Sequence, residues 1–185
     1  MITDVIADAK TRMHKAIEAT KHEFATLRTG RASPALLEHV RVEYYGVPTP
    51  ITQLATITVP EARLLVIQPW DKSMVKEVER AILKSELGLV PASDGTHVRV
   101  PIPTLTEERR KDLAKMARKH TEEGRVAIRN IRREAKEMIE DLKKDGDVSE
   151  DDAKRGIDDL QKVTDKTIAD VDKLLAAKEA EIMEV

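Results

Sequence analysis

Three long stretches with the period of an α-helix decide what this chain can become. From Thr106 to Leu142, the positions Leu113, Ala117, His120, Gly124, Ala127/Ile128, Ile131, Ala135, Met138 and Leu142 step by three and four, which traces one helix face. A second run starts at Ser149, with Ala153, Ile157, Leu160, Val163/Thr164, Ile168, Val171, Leu174/Leu175 and Ile182 on its face. A third lies at the start of the chain, with Ile2, Ile6, Ala9, Met13, Ala16/Ile17, Thr20, Phe24 and Leu27. Each has its punctuation: Thr3-Asp4, Thr106 and Ser149 as starts, Thr29-Gly30 and Asp145-Gly146 as stops. Such faces bury themselves against one another, so a three-helix bundle is expected. At about 1.5 Å per residue the second and third helices each run about 50–60 Å. Gly124 and Gly156 fall inside helices, where close packing of a neighbouring helix is the expected reason for them.

Between the first and second helices the period changes to two. Val40, Val42 and Tyr44 alternate with Arg41, Glu43 and Tyr45 until Gly46, which reads as a half-buried strand beginning from Leu36. Ile51–Val59, bracketed by Pro48, Pro50 and Pro60, reads as extended chain at a sheet edge. Arg63–Gln68 reads as a buried strand, Lys72–Leu87 as a short helix and His97–Val100 as a last strand after the turn Ser93-Asp94-Gly95-Thr96. Three of the four aromatic residues, Tyr44, Tyr45 and Trp70, sit in this region. The expected fold is therefore α+β: a discontinuous bundle domain, residues 1–30 plus 105–185, with a small β/α/β domain, residues 31–104, inserted into it. Thr29-Gly30-Arg31 and Pro103-Thr104-Leu105 are the two crossings, and short crossings flanked by Gly and Pro suit a hinge.

Net charge is only −2, but it is segregated. Residues 107–136 carry +5 and residues 137–185 carry −8. On a helical wheel Lys111, Lys115, Arg118, Glu122, Arg125, Arg129, Arg132 and Lys136 share a sector of about 100°. The sequence thus predicts a solvent-facing cationic stripe about 38 Å long. A face that is merely solvated mixes signs at i,i+4; here like charges stack and repel by a few tenths of a kcal/mol. An anionic partner relieves that repulsion. The opposite face is committed to the bundle, so a membrane surface is excluded and nucleic-acid phosphate is favoured. Base stacking is not expected, because the helical parts hold almost no aromatics.

No catalytic reading survives. Cysteine is absent, His14, His22, His39, His97 and His120 are scattered, and no HExxH or GxSxG is present. TGRASP, Thr29 to Pro34, lacks a Walker lysine. No enzyme, metal or cofactor is expected. The opening residues MITDVIADAK carry acids where a secretory leader carries bases, so a cytoplasmic location is expected.

LRTGRASPALLEHVRVEYYG (Leu27 to Gly46), QPWD (Gln68 to Asp71), LTEERRKDL (Leu105 to Leu113) and EEGRVAIRNIRREA (Glu122 to Ala135) occur in this order. With them the chain resembles the bacterial ribosome recycling factor family over its whole length. The resemblance implies an L-shaped pair of domains. It also implies action with elongation factor G to split post-termination ribosomes, with the bundle against large-subunit ribosomal RNA. It assigns RNA contacts to Arg129 and Arg132, and with them Arg28, Arg110 and Arg133. The stripe itself adds Arg125 and Lys136. A monomer is expected. The competing reading is a bundle adaptor that docks protein partners through its acidic last helix.

Overall fold

The computed structural model describes residues 1–27 and 29–184. Its helices are α1 (Ile2–Thr26), α2 (Val75–Lys84), α3 (Glu107–Lys144) and α4 (Glu150–Met183). Its strands are β1 (Arg41–Tyr44), β2 (Val47–Pro50), β3 (Ala55–Glu61), β4 (Leu64–Pro69), β5 (Ala92–Ser93) and β6 (Val98–Pro101). Among the described residues no helix is long and apolar enough to cross a membrane.

The three long helices follow the periodic runs to within a residue or two. Thr106 caps α3, its Oγ1 accepting from the Arg109 N–H at 3.1 Å. Ser149 caps α4 in the same way through the Asp152 N–H at 3.0 Å. Their core joins Ala9 and Met13 of α1 to Ile128, Ile131, Ala135 and Ile139 of α3 and to Ala153, Leu160 and Val171 of α4. On α3 the buried set departs from expectation at two places. Thr121 is buried where His120 was expected, and Ile139 where Met138 was. His120 is only half-buried, with its Nδ1 3.4 Å from Glu123, and Met138 is exposed. A straight helix drifts about 20° per heptad against a strict seven-residue repeat, so a face read by apolar character alone slips by one residue.

Both helical glycines are contact points. A Cβ on Gly124 would lie 2.5 Å from Thr20 Oγ1, and one on Gly156 2.7 Å from Ile2 Cγ2. Thr20 is buried and its hydroxyl donates to the Ala16 carbonyl at 3.1 Å, which holds that oxygen against Gly124. We expect Gly124→Ala to destabilise the protein by about 1–3 kcal/mol through overpacking. In a Thr20→Ala background the same change should become neutral or stabilising by up to about 1 kcal/mol, since the clash is gone and Ala is the better helix former. Urea unfolding of the four proteins of this cycle measures the sign change. Equal effects in both backgrounds would show that Thr20 is not the obstacle.

The inserted region has its own core. Leu36, Val42, Ile51, Leu65, Ile67, Val75, Val78, Ile82, Val98 and Val100 belong to one apolar cluster with no member from the bundle core. β3, β4, β6 and β5, in that order, form an antiparallel sheet, with Ile57 opposite Ile67 and Leu65 opposite Val100. α2 presents Val75, Val78 and Ile82 to this cluster. β1 and β2 form a separate hairpin. Its two-residue turn places Tyr45 at φ 47° and Gly46 at φ 81°, the conformation that keeps hairpin strands twisted correctly. Pro48 and Pro50 lie on β2, whose outer edge needs no donor.

Some local expectations fail here. Pro34–Leu37 is a 3₁₀ turn rather than the start of extended chain, because the Ser33 hydroxyl caps it through the Ala35 N–H. Ile51–Gln53 is likewise a 3₁₀ turn, so β3 begins at Ala55. The helix expected over Lys72–Leu87 opens as a 3₁₀ turn capped by Asp71 and ends at Lys84. At the predicted turn, Asp94 accepts from the N–H groups of Thr96 and His97 and from the Thr96 hydroxyl. Those donors hold its carboxyl at about 2, well below the ordinary carboxylate range.

By contact density the chain divides into Met1–Phe24 with Ala114–Glu181, and Ala25–Leu113 with Ile182–Val185. The ends of α1, α3 and α4 are therefore grouped with the inserted region, and the divisions fall on helices rather than at the crossings near 30 and 104.

Candidate nucleic-acid interface

α3 carries the basic residues, and its neighbour α4 decides what each can do. The stripe's centre lies roughly 100° from the centre of the buried face, not half a turn away. Its inner edge therefore meets α4. Arg118 Nε donates to Glu179 Oε1 at 3.0 Å. Arg125 Nε donates to Asp172 Oδ1 at 2.9 Å. Arg132 Nη1 donates to Gln161 Oε1 at 3.0 Å, and Gln161 Nε2 in turn donates to Asp165 Oδ1 at 2.8 Å. Arg118, Arg125 and Arg132 rise along α3 by one heptad each, while Glu179, Asp172 and Asp165 descend α4 by the same step. This is the ladder expected of antiparallel helices. The hydrogen bond that Arg125 donates to Asp172 makes its guanidinium still harder to deprotonate.

The unbroken cationic solvent face expected from the sequence is therefore corrected. Its α4 edge is an interhelical ladder, and the free cations lie further round the helix. Lys115, Lys119, Arg133 and Lys136 are exposed, and none is joined to another described residue by an ion pair or hydrogen bond. Arg129 is also exposed and donates through Nη1 to Glu122 Oε1 at 3.2 Å. Val126 and Asn130, also exposed, lie on the same outward face as these cations.

The remaining expected site residues scatter. Arg110 is half-buried near the start of α3, its Nε enclosed and without a hydrogen-bond partner among the described residues. Arg28 lies outside the described residues. At the crossings, Gly30 has φ +88°, a backbone angle open to glycine, and a Cβ there would lie 3.9 Å from Leu105 Cγ. Thr29 is buried, and Arg31 pairs with Glu184. Just inside the crossings, the Ala32 N–H donates to Ala62 O at 2.7 Å and the Ile102 N–H to Arg63 O at 2.8 Å. Adjacent residues of the β3–β4 turn thus tie down both ends of the insertion. Pro103 and Thr104 beyond them are exposed, and Leu105 is half-buried.

Among the described residues no group of three or more His, Asp or Glu side chains could hold a metal ion. What the α3 face offers chemically is a row of fixed and free cations running about two thirds of the length of α3. That arrangement suits a polyanion whose charges recur along a line.

A family model described as "Ribosome recycling factor" matches residues 20–183. The ribosome-recycling factor of Carboxydothermus hydrogenoformans is 60% identical over 185 residues, covering 100% of both chains. That of Syntrophomonas wolfei is 56% identical with the same coverage. A solution structure of a ribosome recycling factor superposes with a TM-score of 0.75 at 52% identity, covering 100% of this chain and 98% of the other. A chain at 48% identity and TM-score 0.69, with full coverage of both, comes from models of the T. thermophilus ribosome recycling factor and the E. coli elongation factor G bound to the E. coli post-termination complex.

Proposed function

The chain belongs to the ribosome recycling factor family, and from that premise we propose that it works with elongation factor G to split post-termination ribosomes into subunits. The partners come from the relative at 48% identity, which is described with elongation factor G on that complex. In this reading the protein is a cytoplasmic monomer and needs no catalytic residue, metal or cofactor of its own. It contacts large-subunit ribosomal RNA through the outward side of α3, and the observation that carries this is the set of exposed cations there, of which Arg133 and Lys136 have no partner among the described residues. Arg129, Arg133 and Lys136 are the main phosphate contacts. Arg132, half-buried and bonded to Gln161, flanks them. Arg125 holds α4 in place, and Arg28 and Arg110 are further contacts implied by the family. The crossings Thr29-Gly30-Arg31 and Pro103-Thr104-Leu105 act as the hinge on which elongation factor G moves the inserted domain.

The electrostatic part has a quantitative signature. Each phosphate contact releases condensed cations, so log affinity for large subunits should fall linearly with log salt, by about 0.7–0.9 per contact. With Arg133 and Lys136 as the free-cation contacts, the slope should be roughly −1.4 to −1.8. Co-sedimentation with isolated large subunits between low and physiological salt measures it. Salt-independent binding would remove the RNA face. Salt-insensitive binding to a ribosomal protein would favour the adaptor reading through acidic α4.

A further inference from the structure

Two guanidinium groups on α3 converge on one carboxylate. Arg125 Nη1 donates to Glu122 Oε2 at 3.1 Å, and Arg129 Nη1 donates to Glu122 Oε1 at 3.2 Å. Glu122 is the one acid among the eight positions of the basic sector, and its side chain is half exposed. Hydrogen bonds from Arg125 and then Arg129 hold its carboxyl below the ordinary range, so it is ionised at neutral pH. A phosphate takes guanidinium N–H groups from two forks in the same way as a carboxylate does. The two arginines differ in freedom. Arg125 is also fixed to Asp172 through Nε, whereas Arg129 has no partner but Glu122 among the described residues.

We propose that Glu122 is an internal stand-in for phosphate: it fills the anion position between Arg125 and Arg129 in the free protein and yields that position to a backbone phosphate of RNA. The proposal rests on the RNA reading above and deepens it. Three consequences follow from charge exchange. The displaced carboxylate stays tethered beside the phosphate and offsets the Arg129 charge there, so fewer cations leave the RNA and the Arg129 contact adds little to the salt slope of the native protein. A small free anion gains too little to displace Glu122, whereas a polyanion anchored by Arg133 and Lys136 presents its next phosphate at high local concentration. The arginines remain paired and ordered until RNA arrives, which limits association with stray anions.

The test compares the native protein with Glu122→Gln for binding to isolated large subunits across salt. Glutamine keeps the size and removes the charge. Binding should become about 2- to 5-fold tighter near 0.1 M salt, the scale of an exposed ion pair. The log–log slope should steepen by about 0.7–0.9, because the Arg129 charge, no longer offset by Glu122, displaces one more cation from the RNA. Both changes should vanish in an Arg129→Ala background, and Glu122→Asp should return toward native behaviour. Glu123→Gln removes an equal charge beside the site and serves as the control. Thermal melting checks that each variant is folded, and a destabilised helix would not steepen the slope. Weaker or unchanged binding by Glu122→Gln, with the native protein binding normally, overturns the stand-in and leaves the RNA reading intact. An equal gain from Glu123→Gln also overturns it, by assigning the effect to bulk charge. Failure of both the native protein and Glu122→Gln to bind overturns the RNA reading and the stand-in together.

Discussion

The double reversal Arg129→Glu/Arg133→Glu should weaken binding to large ribosomal subunits by about 10²–10⁴-fold. Each lost charge-assisted contact is worth about 1.5–3 kcal/mol, and every 1.4 kcal/mol is tenfold in affinity. The fold should survive. Both side chains are exposed, and the bond lost is the one from Arg129 to Glu122. Exposed ion pairs contribute about 0–1 kcal/mol, so the thermal midpoint should move by no more than about 4 °C for a chain of this size. Arg132→Ala is the instructive companion. Arg132 is half-buried and links α3 to Gln161 of α4, so this variant should lose both some stability and some affinity. Co-sedimentation and a melting curve on the same preparations separate the two. Native affinity in the double reversal would remove the outward face of α3 from the interface.

The pair Arg132 and Arg133 also shows how far the sequence alone can be read. The long helices were legible because three- and four-residue spacing and capping residues such as Thr106 and Ser149 act within a few positions. The α+β class followed from the change of period between Gly30 and Pro103. The direction in which each arginine points was not legible from α3 by itself. Arg125 and Arg132 turn toward α4 because Asp172 and Gln161 stand opposite them. The signal existed, in the matching heptad steps of Arg118, Arg125 and Arg132 on one helix and Glu179, Asp172 and Asp165 on the other. Reading it required treating the two runs as antiparallel partners rather than as one basic and one acidic surface. The 3₁₀ turns at Pro34–Leu37 and Ile51–Gln53 were missed for another reason. Each depends on one or two hydrogen bonds that compete closely with extended chain, and no period reports them. The breaks at Thr29-Gly30 and at Pro103, where the long helices give way to the inserted region, were legible as punctuation. That Ala32 and Ile102 are tied to the neighbouring residues Ala62 and Arg63 depends on long-range backbone pairing, which no local pattern encodes.

A protein in which residues 1–30 are joined to 105–185 by a short Gly/Ser linker should bind large subunits nearly as the full chain does and yet give no subunit splitting above background. The bundle core of Ala9, Met13, Ile128, Ile139, Leu160 and Val171 draws nothing from residues 31–104, so a cooperative melt should persist. Its midpoint should fall, because Leu27 and Leu113 are buried in the full chain and their helix ends group with the inserted region. The exposed cations Lys115 to Lys136 all remain, so affinity should hold within about threefold, under 1 kcal/mol. Splitting with elongation factor G and GTP should be lost, because the proposed lever is absent. A point change probes the same idea without deletion. Gly30 sits at φ +88°, which proline cannot adopt, since its ring fixes φ near −65°. Gly30→Pro forces that crossing into another path and stiffens it, so splitting should fall by more than binding does, provided the melt remains cooperative. Light scattering of ribosomes mixed with elongation factor G and GTP follows splitting, and co-sedimentation follows binding. Full splitting by the protein lacking 31–104 would show that neither the inserted domain nor its crossings take part in the mechanism, leaving the α3 face as the sole agent.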